Sequence, residues 1–174
     1  LNNNNFYLNT SYKGGFGNNW QVTTGLSYGY SKNKLGLDLD KLNNDENASH
    51  LKFKLRKSIS QHVKLAFGTD YFITRFNEDF TPNSGFGGTS GYNSSIAAAF
   101  AEGDILFTKN FAAKVGVRAS YNDLLDETAV APRVSLAYKL NKTSQFSFAY
   151  GHFTQAPSVD FIKYSKMHQF ESEK

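Results

Sequence analysis

The acidic stretch at residues 37–47 carries the side chains best suited to binding a metal ion. Asp38, Asp40, Asp45 and Glu46 lie there together with three asparagines, and oxygen ligands of this kind coordinate Ca²⁺. The spacing of an EF-hand loop, with its central glycine, is missing. These four residues are therefore weak metal candidates, and a solvated acidic loop is the simpler interpretation.

No set of residues has the spacing of a catalytic or cofactor-binding site. The four histidines are scattered, without the H-x-x-x-H or H-E-x-x-H spacing of a metal site, and no G-x-S-x-G motif is present. The chain has no cysteine, which excludes thiol catalysis, thiolate metal sites and disulfides. We therefore predict that the protein is not an enzyme and needs no cofactor.

Composition narrows the class of protein further. The net charge of +4 over 174 residues is too small and too dispersed to predict a nucleic-acid partner. The longest apolar run, residues 96–101, is far shorter than the roughly 20 residues of a transmembrane helix. Aromatic residues make up 16% of the chain although its mean hydropathy is −0.48. This combination predicts segments with one apolar face and one polar face.

Strict alternation of apolar and polar residues recurs along the chain and predicts strands. In the clearest case Trp20, Val22, Thr24 and Leu26 alternate with polar or small residues, a period that a helix could not use. The predicted fold is all-β, an antiparallel up-and-down meander of about eight long strands forming part of a transmembrane β-barrel. The strands are expected at about 5–13, 20–31, 48–57, 63–76, 93–107, 111–121, 131–140 and 145–153, with an outer loop at 154–174.

The charged residues of these strands fall on one face, which predicts a water-filled interior. A Lys or Arg that faces lipid at mid-bilayer costs roughly 2–4 kcal/mol. We therefore expect eight charged residues to line the lumen: Lys52, Lys54, Arg56, Glu102, Asp104, Lys114, Arg118 and Arg133. Among them, the cationic row Lys52, Lys54 and Arg56 could line an anion or substrate path, or pair with Glu102 and Asp104 on other strands or with a plug. Six aromatic residues are expected at the lipid–water interfaces: Tyr12, Trp20, Tyr28, Tyr121, Tyr138 and Tyr150.

The predicted connections alternate in length. Short links at 14–19, 57–62, 108–110 and 141–144 alternate with long ones at 32–47, 77–91, 122–130 and from 154 onward. Outer-membrane barrels have short periplasmic turns and long extracellular loops. This alternation favours a membrane barrel over a soluble one.

Three motifs in the second half resemble one family. The strings FAAKVGVRASY at 111–121, APRVSLAYKLN at 131–141 and QFSFAYGHFTQAP at 145–157 are similar to strands of TonB-dependent receptors, especially the type found in Bacteroidetes. The agreement covers about residues 111–160, and His152 stands where family members commonly have Arg. Residues 1–110 match in architecture alone.

The resemblance implies a barrel segment, lacking the plug, of a receptor in the bacterial outer membrane that actively imports a scarce nutrient. An iron chelate, a vitamin or an oligosaccharide are the substrate classes it implies. The implied partners are outer-membrane lipid, the rest of the barrel and its plug, the TonB complex acting through that plug, and a surface lipoprotein. The ends of the sequence are expected to be cuts through a longer polypeptide.

Two other architectures fit the alternation. One is a complete eight-stranded outer-membrane barrel with a structural or adhesive role, which requires the first and last strands to pair. The other is a soluble ligand-binding β-barrel, in which Phe53 and Leu65 would be buried inside.

Overall fold

The computed structural model describes residues 2–37, 40–83 and 87–153, and it forms one eight-stranded antiparallel sheet. Each strand pairs with the next along the chain, so the order in the sheet is the order in the sequence. The all-β meander of eight strands is therefore confirmed. Its strands are β1 Asn2–Phe16, β2 Trp20–Leu37, β3 Asp40–Ser58, β4 Val63–Thr81, β5 Gly88–Thr108, β6 Phe111–Asn122, β7 Glu127–Lys139 and β8 Gln145–Gly151.

The described residues include no helix that is both long enough and apolar enough to cross a membrane.

Four tight turns connect β1 to β2, β3 to β4, β5 to β6 and β7 to β8, and local hydrogen bonds hold them. Gly17 and Asn19 adopt positive φ angles of 52° and 65° in the first turn, where glycine and asparagine are the residues that best tolerate this conformation. In the last turn, the side-chain oxygen of Asn141 accepts hydrogen bonds from two following backbone N–H groups, each at 2.8 Å. These turns correspond to the short links predicted from the sequence, and we call this side of the sheet the tight-turn end.

At the other end, the strands are longer than the sequence predicted. Pairing of β2 with β3 continues to Leu37 opposite Asp40, and pairing of β4 with β5 continues to Phe80 opposite Gly88. Most of the stretches 32–47, 77–91 and 122–130, expected to be loops, are therefore strand. The backbone ladder continues because polar side chains pair across it, as Lys32 does with Asp45 at 3.3 Å. The polar segments that suggested loops instead form β-ribbons that extend this end of the sheet, which we call the ribbon end.

Strand length is sufficient for membrane crossing. Strands β1 to β5 contain 15 to 21 residues, whereas a tilted strand needs about 9–11 residues to cross a bilayer. The extra length lies in the polar ribbons, so the part of each strand next to the tight turns has the composition and length of a membrane span.

The sheet has two edges, β1 and β8. Within the described residues these two strands do not pair with each other, so the sheet is open. The closed eight-stranded barrel considered above requires that pairing and therefore gains no support. Unpaired backbone groups in a hydrocarbon environment cost several kcal/mol each. In such an environment, both edges would require pairing partners.

The sheet is a single layer, and the described residues form almost no hydrophobic core. The buried apolar residues are Ala66, Phe76, Ala98 and Ala113. Large apolar side chains remain exposed, including Leu26 at 46%, Val115 at 50% and Phe148 at 59% of their maximal area. Phe53, which the soluble-barrel alternative places inside, is likewise exposed. A contiguous apolar surface of this kind needs a partner other than water.

Candidate functional site: the ionic face of the sheet

All eight residues predicted to line the lumen lie on one face of the sheet, which we call the ionic face. The strand register places Lys52 opposite Asp70, Arg56 opposite Ala66, and Asp104 opposite Lys114. Since side chains alternate between the two sides of a strand, these pairings assign the whole set to one side. That set comprises Lys52, Lys54, Arg56, Glu102, Asp104, Lys114, Arg118 and Arg133.

The most buried charged group on the ionic face is Asp70 of β4, with 6% of its side chain exposed. Nη1 of Arg118 donates a hydrogen bond to Oδ2 of Asp70 at 2.6 Å, and Nε2 of His50 lies 3.2 Å from Oδ1. The His50 ring stacks on Phe72 at 3.9 Å between ring centroids. Asp70 is thus held by one residue of β3 and one of β6, so the cluster ties three strands together.

A second cluster lies nearer the tight-turn end. Glu102 and Asp104 of β5 share three cations: Arg56 lies 3.6 Å from Asp104, Arg133 lies 3.6 Å from Glu102, and Lys114 lies 3.8 and 3.4 Å from the two carboxylates. These pairs join β3, β5, β6 and β7. Arg56 thus pairs with Asp104, one of the two carboxylates that the sequence offered to the row Lys52, Lys54 and Arg56.

Several of these contacts join strands that are not neighbours. Strands two apart in a sheet are separated by about 10 Å, so a long side chain must cross the strand between them. Gly116 lies directly between Glu102 and Arg133 in the strand register. The other two contacts are diagonal. Arg56 lies opposite Ala66 and reaches Asp104, and Arg118 lies opposite Phe100 and reaches Asp70. Small residues opposite Arg56 and Arg133, namely Ala66 and Gly116, leave room for these two side chains to cross the intervening strand.

Gly68 shows how closely the side chains approach. A Cβ atom at this position would lie 2.5 Å from the Phe100 ring and 2.6 Å from the Phe53 carbonyl oxygen. Lys54 and Phe100 meet over this glycine, with the ammonium group 5.9 Å from the ring centroid, a cation–π distance. Residue 68 is therefore a glycine because the surrounding atoms leave no space for a side chain.

Cations exceed carboxylates on the ionic face. By strand register, the described part of this face carries nine lysines and arginines and seven carboxylates. The cations are Lys13, Lys52, Lys54, Arg56, Lys64, Lys114, Arg118, Arg133 and Lys139, and the carboxylates are Asp40, Glu46, Asp70, Glu78, Glu102, Asp104 and Glu127. Among the described ion pairs, none includes Lys52, Lys54 or Lys64. Part of the face is an open cavity of about 580 Å³ lined by Arg56, Lys64, Asp104 and Lys114. The face therefore combines a network of ion pairs with three lysines that no described ion pair includes.

The opposite face, which we call the apolar face, carries the six aromatic residues predicted to lie at the membrane interfaces. Tyr12, Trp20, Tyr28, Tyr121, Tyr138 and Tyr150 all lie on it by strand register. At the tight-turn end, Phe16 stacks on Trp20 at 6.1 Å, and Phe107 stacks on Phe111 at 5.2 Å. Tyr12 and Tyr28 lie within strands rather than at their ends. Their position at an interface remains a prediction.

The weak metal candidates do not converge. Asp38 lies outside the described residues. Asp40 accepts a hydrogen bond from the backbone N–H of Asn83 at 3.0 Å, and Asp45 pairs with Lys32. Glu46 follows Asp45 in β3, so its side chain lies on the opposite face of the sheet from that of Asp45. Among the described residues, no group of three potential metal ligands is close enough to hold an ion.

Sequence reasoning missed the centre of the first cluster. Neither Asp70 nor His50 is among the site residues predicted from the sequence. The position of Asp70 in the middle of a strand rich in apolar residues could have indicated a paired carboxylate, because charged groups that are buried in proteins are normally paired. Its partners could not be identified, because Arg118 is 48 residues away along the chain.

A continuous sheet with a charged face, an opposite face of exposed apolar and aromatic side chains, and strands long enough to span a bilayer defines the wall of a transmembrane β-barrel. The chain belongs to the TonB dependent receptor-like, beta-barrel family, whose model matches residues 1–166. Members of this family are transport receptors of the bacterial outer membrane rather than enzymes. No curated protein gives a significant match to the chain.

Proposed function

We propose that this chain forms part of the barrel wall of a TonB-dependent receptor that actively imports a scarce nutrient across the outer membrane. The observation that carries the proposal is the division of one sheet into an ionic face and an apolar face, in a chain of this family. The ionic face would line the bore, and the apolar face would contact lipid. The wall would be completed by further strands at the edges β1 and β8.

In the proposed cycle, ligand binds to outer loops and to a plug inside the barrel. Energy delivered by the TonB complex then rearranges the plug and opens a path. The described residues would supply a stiff wall, because the Asp70 and Glu102–Asp104 clusters tie β3 to β7 together across the sheet. The cations Lys52, Lys54 and Lys64 would face the bore. An iron chelate, a vitamin or an oligosaccharide is the proposed cargo, and a surface lipoprotein is a proposed partner.

The orientation of the two faces can be tested with single cysteines, because the natural chain has none. Lys52→Cys on the ionic face and Phe67→Cys on the apolar face would be introduced into the full receptor in outer membranes. We expect a water-soluble maleimide to label position 52, and a lipid-dissolved quencher to reach a fluorophore at position 67. The reverse pattern would refute the proposed orientation.

Import is tested by deleting the gene and supplying one nutrient class at a time in limiting amounts. Growth should fail on one class, and the intact gene should restore it only in cells that have a functional TonB protein. Restored growth without TonB would contradict energised import. Unchanged growth on iron chelates, vitamins and oligosaccharides alike would contradict the proposed nutrient role, while leaving the two-faced wall intact.

A further inference from the structure

Charged residues are divided very unevenly between the two ends of the sheet. At the tight-turn end, residues 13–20, 57–64, 106–112 and 138–146 contain six lysines and neither aspartate nor glutamate. The lysines are Lys13, Lys57, Lys64, Lys109, Lys139 and Lys142. At the ribbon end, the described residues 31–37, 40–47, 74–83, 87–92 and 121–128 contain eight carboxylates and four cations. The sheet is therefore positive at the tight-turn end and negative at the other.

Two of the six lysines lie on or beside the aromatic rim of the apolar face. Lys57 shares a row with Trp20, and its ammonium group lies 5.0 Å from the Trp20 ring and donates a hydrogen bond to the carbonyl oxygen of Asn18 at 2.7 Å. Lys109 occupies the two-residue turn between the stacked rings of Phe107 and Phe111. These cations therefore lie where the apolar face meets water.

A third lysine, Lys142, is exposed in the turn between β7 and β8. Among the described ion pairs, none includes Lys57, Lys109 or Lys142. Nearby sequence offers no carboxylate to neutralise them. Their charges are thus available to an anion outside the chain.

We propose that the tight-turn end binds the anionic headgroups of phospholipids in the adjacent membrane leaflet. The chemistry fits because a lysine stem can lie along apolar surface while its ammonium group reaches the headgroup level, next to aromatic rings that prefer the same depth. An acidic protein is the poorer match, since Lys57 and Lys109 flank rings on the apolar face, which would be covered by lipid. This inference rests on the proposed function, which places that face in the membrane.

The test uses the full receptor reconstituted in phosphatidylethanolamine bilayers with spin-labelled phosphatidylglycerol or spin-labelled phosphatidylcholine. The natural receptor should prefer phosphatidylglycerol, and the preference should fall as salt is added. In the triple variant Lys57→Gln, Lys109→Gln, Lys142→Gln, it should fall by up to about fivefold for each lysine removed. The matched control Lys34→Gln, Lys41→Gln, Arg75→Gln removes the same charge from the ribbon end and should keep the preference.

Three results would overturn the inference: equal association of the two lipids with the natural receptor, an equal loss in both triple variants, or full displacement of the lipid by inorganic phosphate. Because Lys57 also contacts Trp20 and Asn18, the double variant Lys109→Gln, Lys142→Gln repeats the test without altering those contacts. A receptor that inserts and imports but shows no lipid preference refutes this inference alone. A reversed labelling pattern at positions 52 and 67 refutes the proposed function.

Discussion

Replacing Arg118 with methionine should destabilise the barrel wall measurably, because Asp70 would lose its closest partner. Removing one member of a fully buried pair costs about 3–5 kcal/mol. Here Asp70 is 6% exposed and Arg118 is 28% exposed, and His50 stays within 3.2 Å of the carboxylate. Water and His50 would compensate in part, so we expect a loss of about 2–3 kcal/mol in the free energy of unfolding.

The cause of that loss can be separated by a double-mutant cycle. Adding Asp70→Asn to the Arg118→Met variant should lower the free energy of unfolding little further, because the unpaired negative charge of Asp70 is then absent. The coupling energy between the two positions should be about 1–2 kcal/mol. The assay is urea-induced unfolding of the full receptor in lipid vesicles, followed by tryptophan fluorescence or by heat-modified gel mobility.

A matched control exists on the same face. Arg56 and Asp104 are 3.6 Å apart with side chains 37% and 35% exposed, so Arg56→Met should cost less than about 1 kcal/mol. If Arg118→Met and Arg56→Met had equal effects, or if Asp70 and Arg118 showed no coupling, burial would not govern the strength of these pairs. The structural account of the Asp70 cluster would then be wrong.

Three further perturbations test other features. Phe67→Arg on the apolar face should lower the unfolding free energy in vesicles by about 2–4 kcal/mol and reduce outer-membrane assembly, whereas Lys64→Ala on the ionic face should leave both nearly unchanged. Gly68→Ala should also reduce assembly, because the added Cβ would lie 2.5 Å from an aromatic ring carbon and 2.6 Å from a backbone oxygen. Asp123, in the β6–β7 turn, accepts hydrogen bonds from the backbone N–H and the hydroxyl of Ser95, which lower the pKa of its carboxyl below the ordinary 3.8. The stabilisation of this turn should be fully present above about pH 4 and lost as the pH falls through the lowered value, as measured by hydrogen exchange at Ser95.

Each of these predictions has a contradictory outcome. Equal assembly of Phe67→Arg and Lys64→Ala would argue against a lipid-facing Phe67. Normal assembly of Gly68→Ala would show that the sheet can open at that point without cost. Exchange at Ser95 that follows the same acid dependence in Asp123→Asn would show that the Asp123 carboxyl does not hold the turn.

The sequence predicted the parts of the fold that depend on local alternation. The presence of eight strands and the grouping of Lys52, Lys54 and Arg56 on one side of their strand follow from a period of two. Residues 32–47 were misassigned because asparagine, lysine and serine carry no apolar alternation. These residues form strands because they pair with a neighbouring strand. For example, the hydroxyl of Tyr28 in β2 donates a hydrogen bond to the side chain of Asn47 in β3 at 2.9 Å. The composition of a single segment does not show such pairing.

What only the tertiary structure decided is which charges meet. Arg118 of β6 reaches Asp70 of β4 diagonally across β5, and Arg133 reaches Glu102 across Gly116, so each contact depends on three strands in a fixed register. Alternation specifies the side of the sheet on which a residue lies, but the register between strands sets its neighbours. The composition of each face was therefore determined locally, whereas the ionic network that ties the wall together arises from long-range pairing of the backbone.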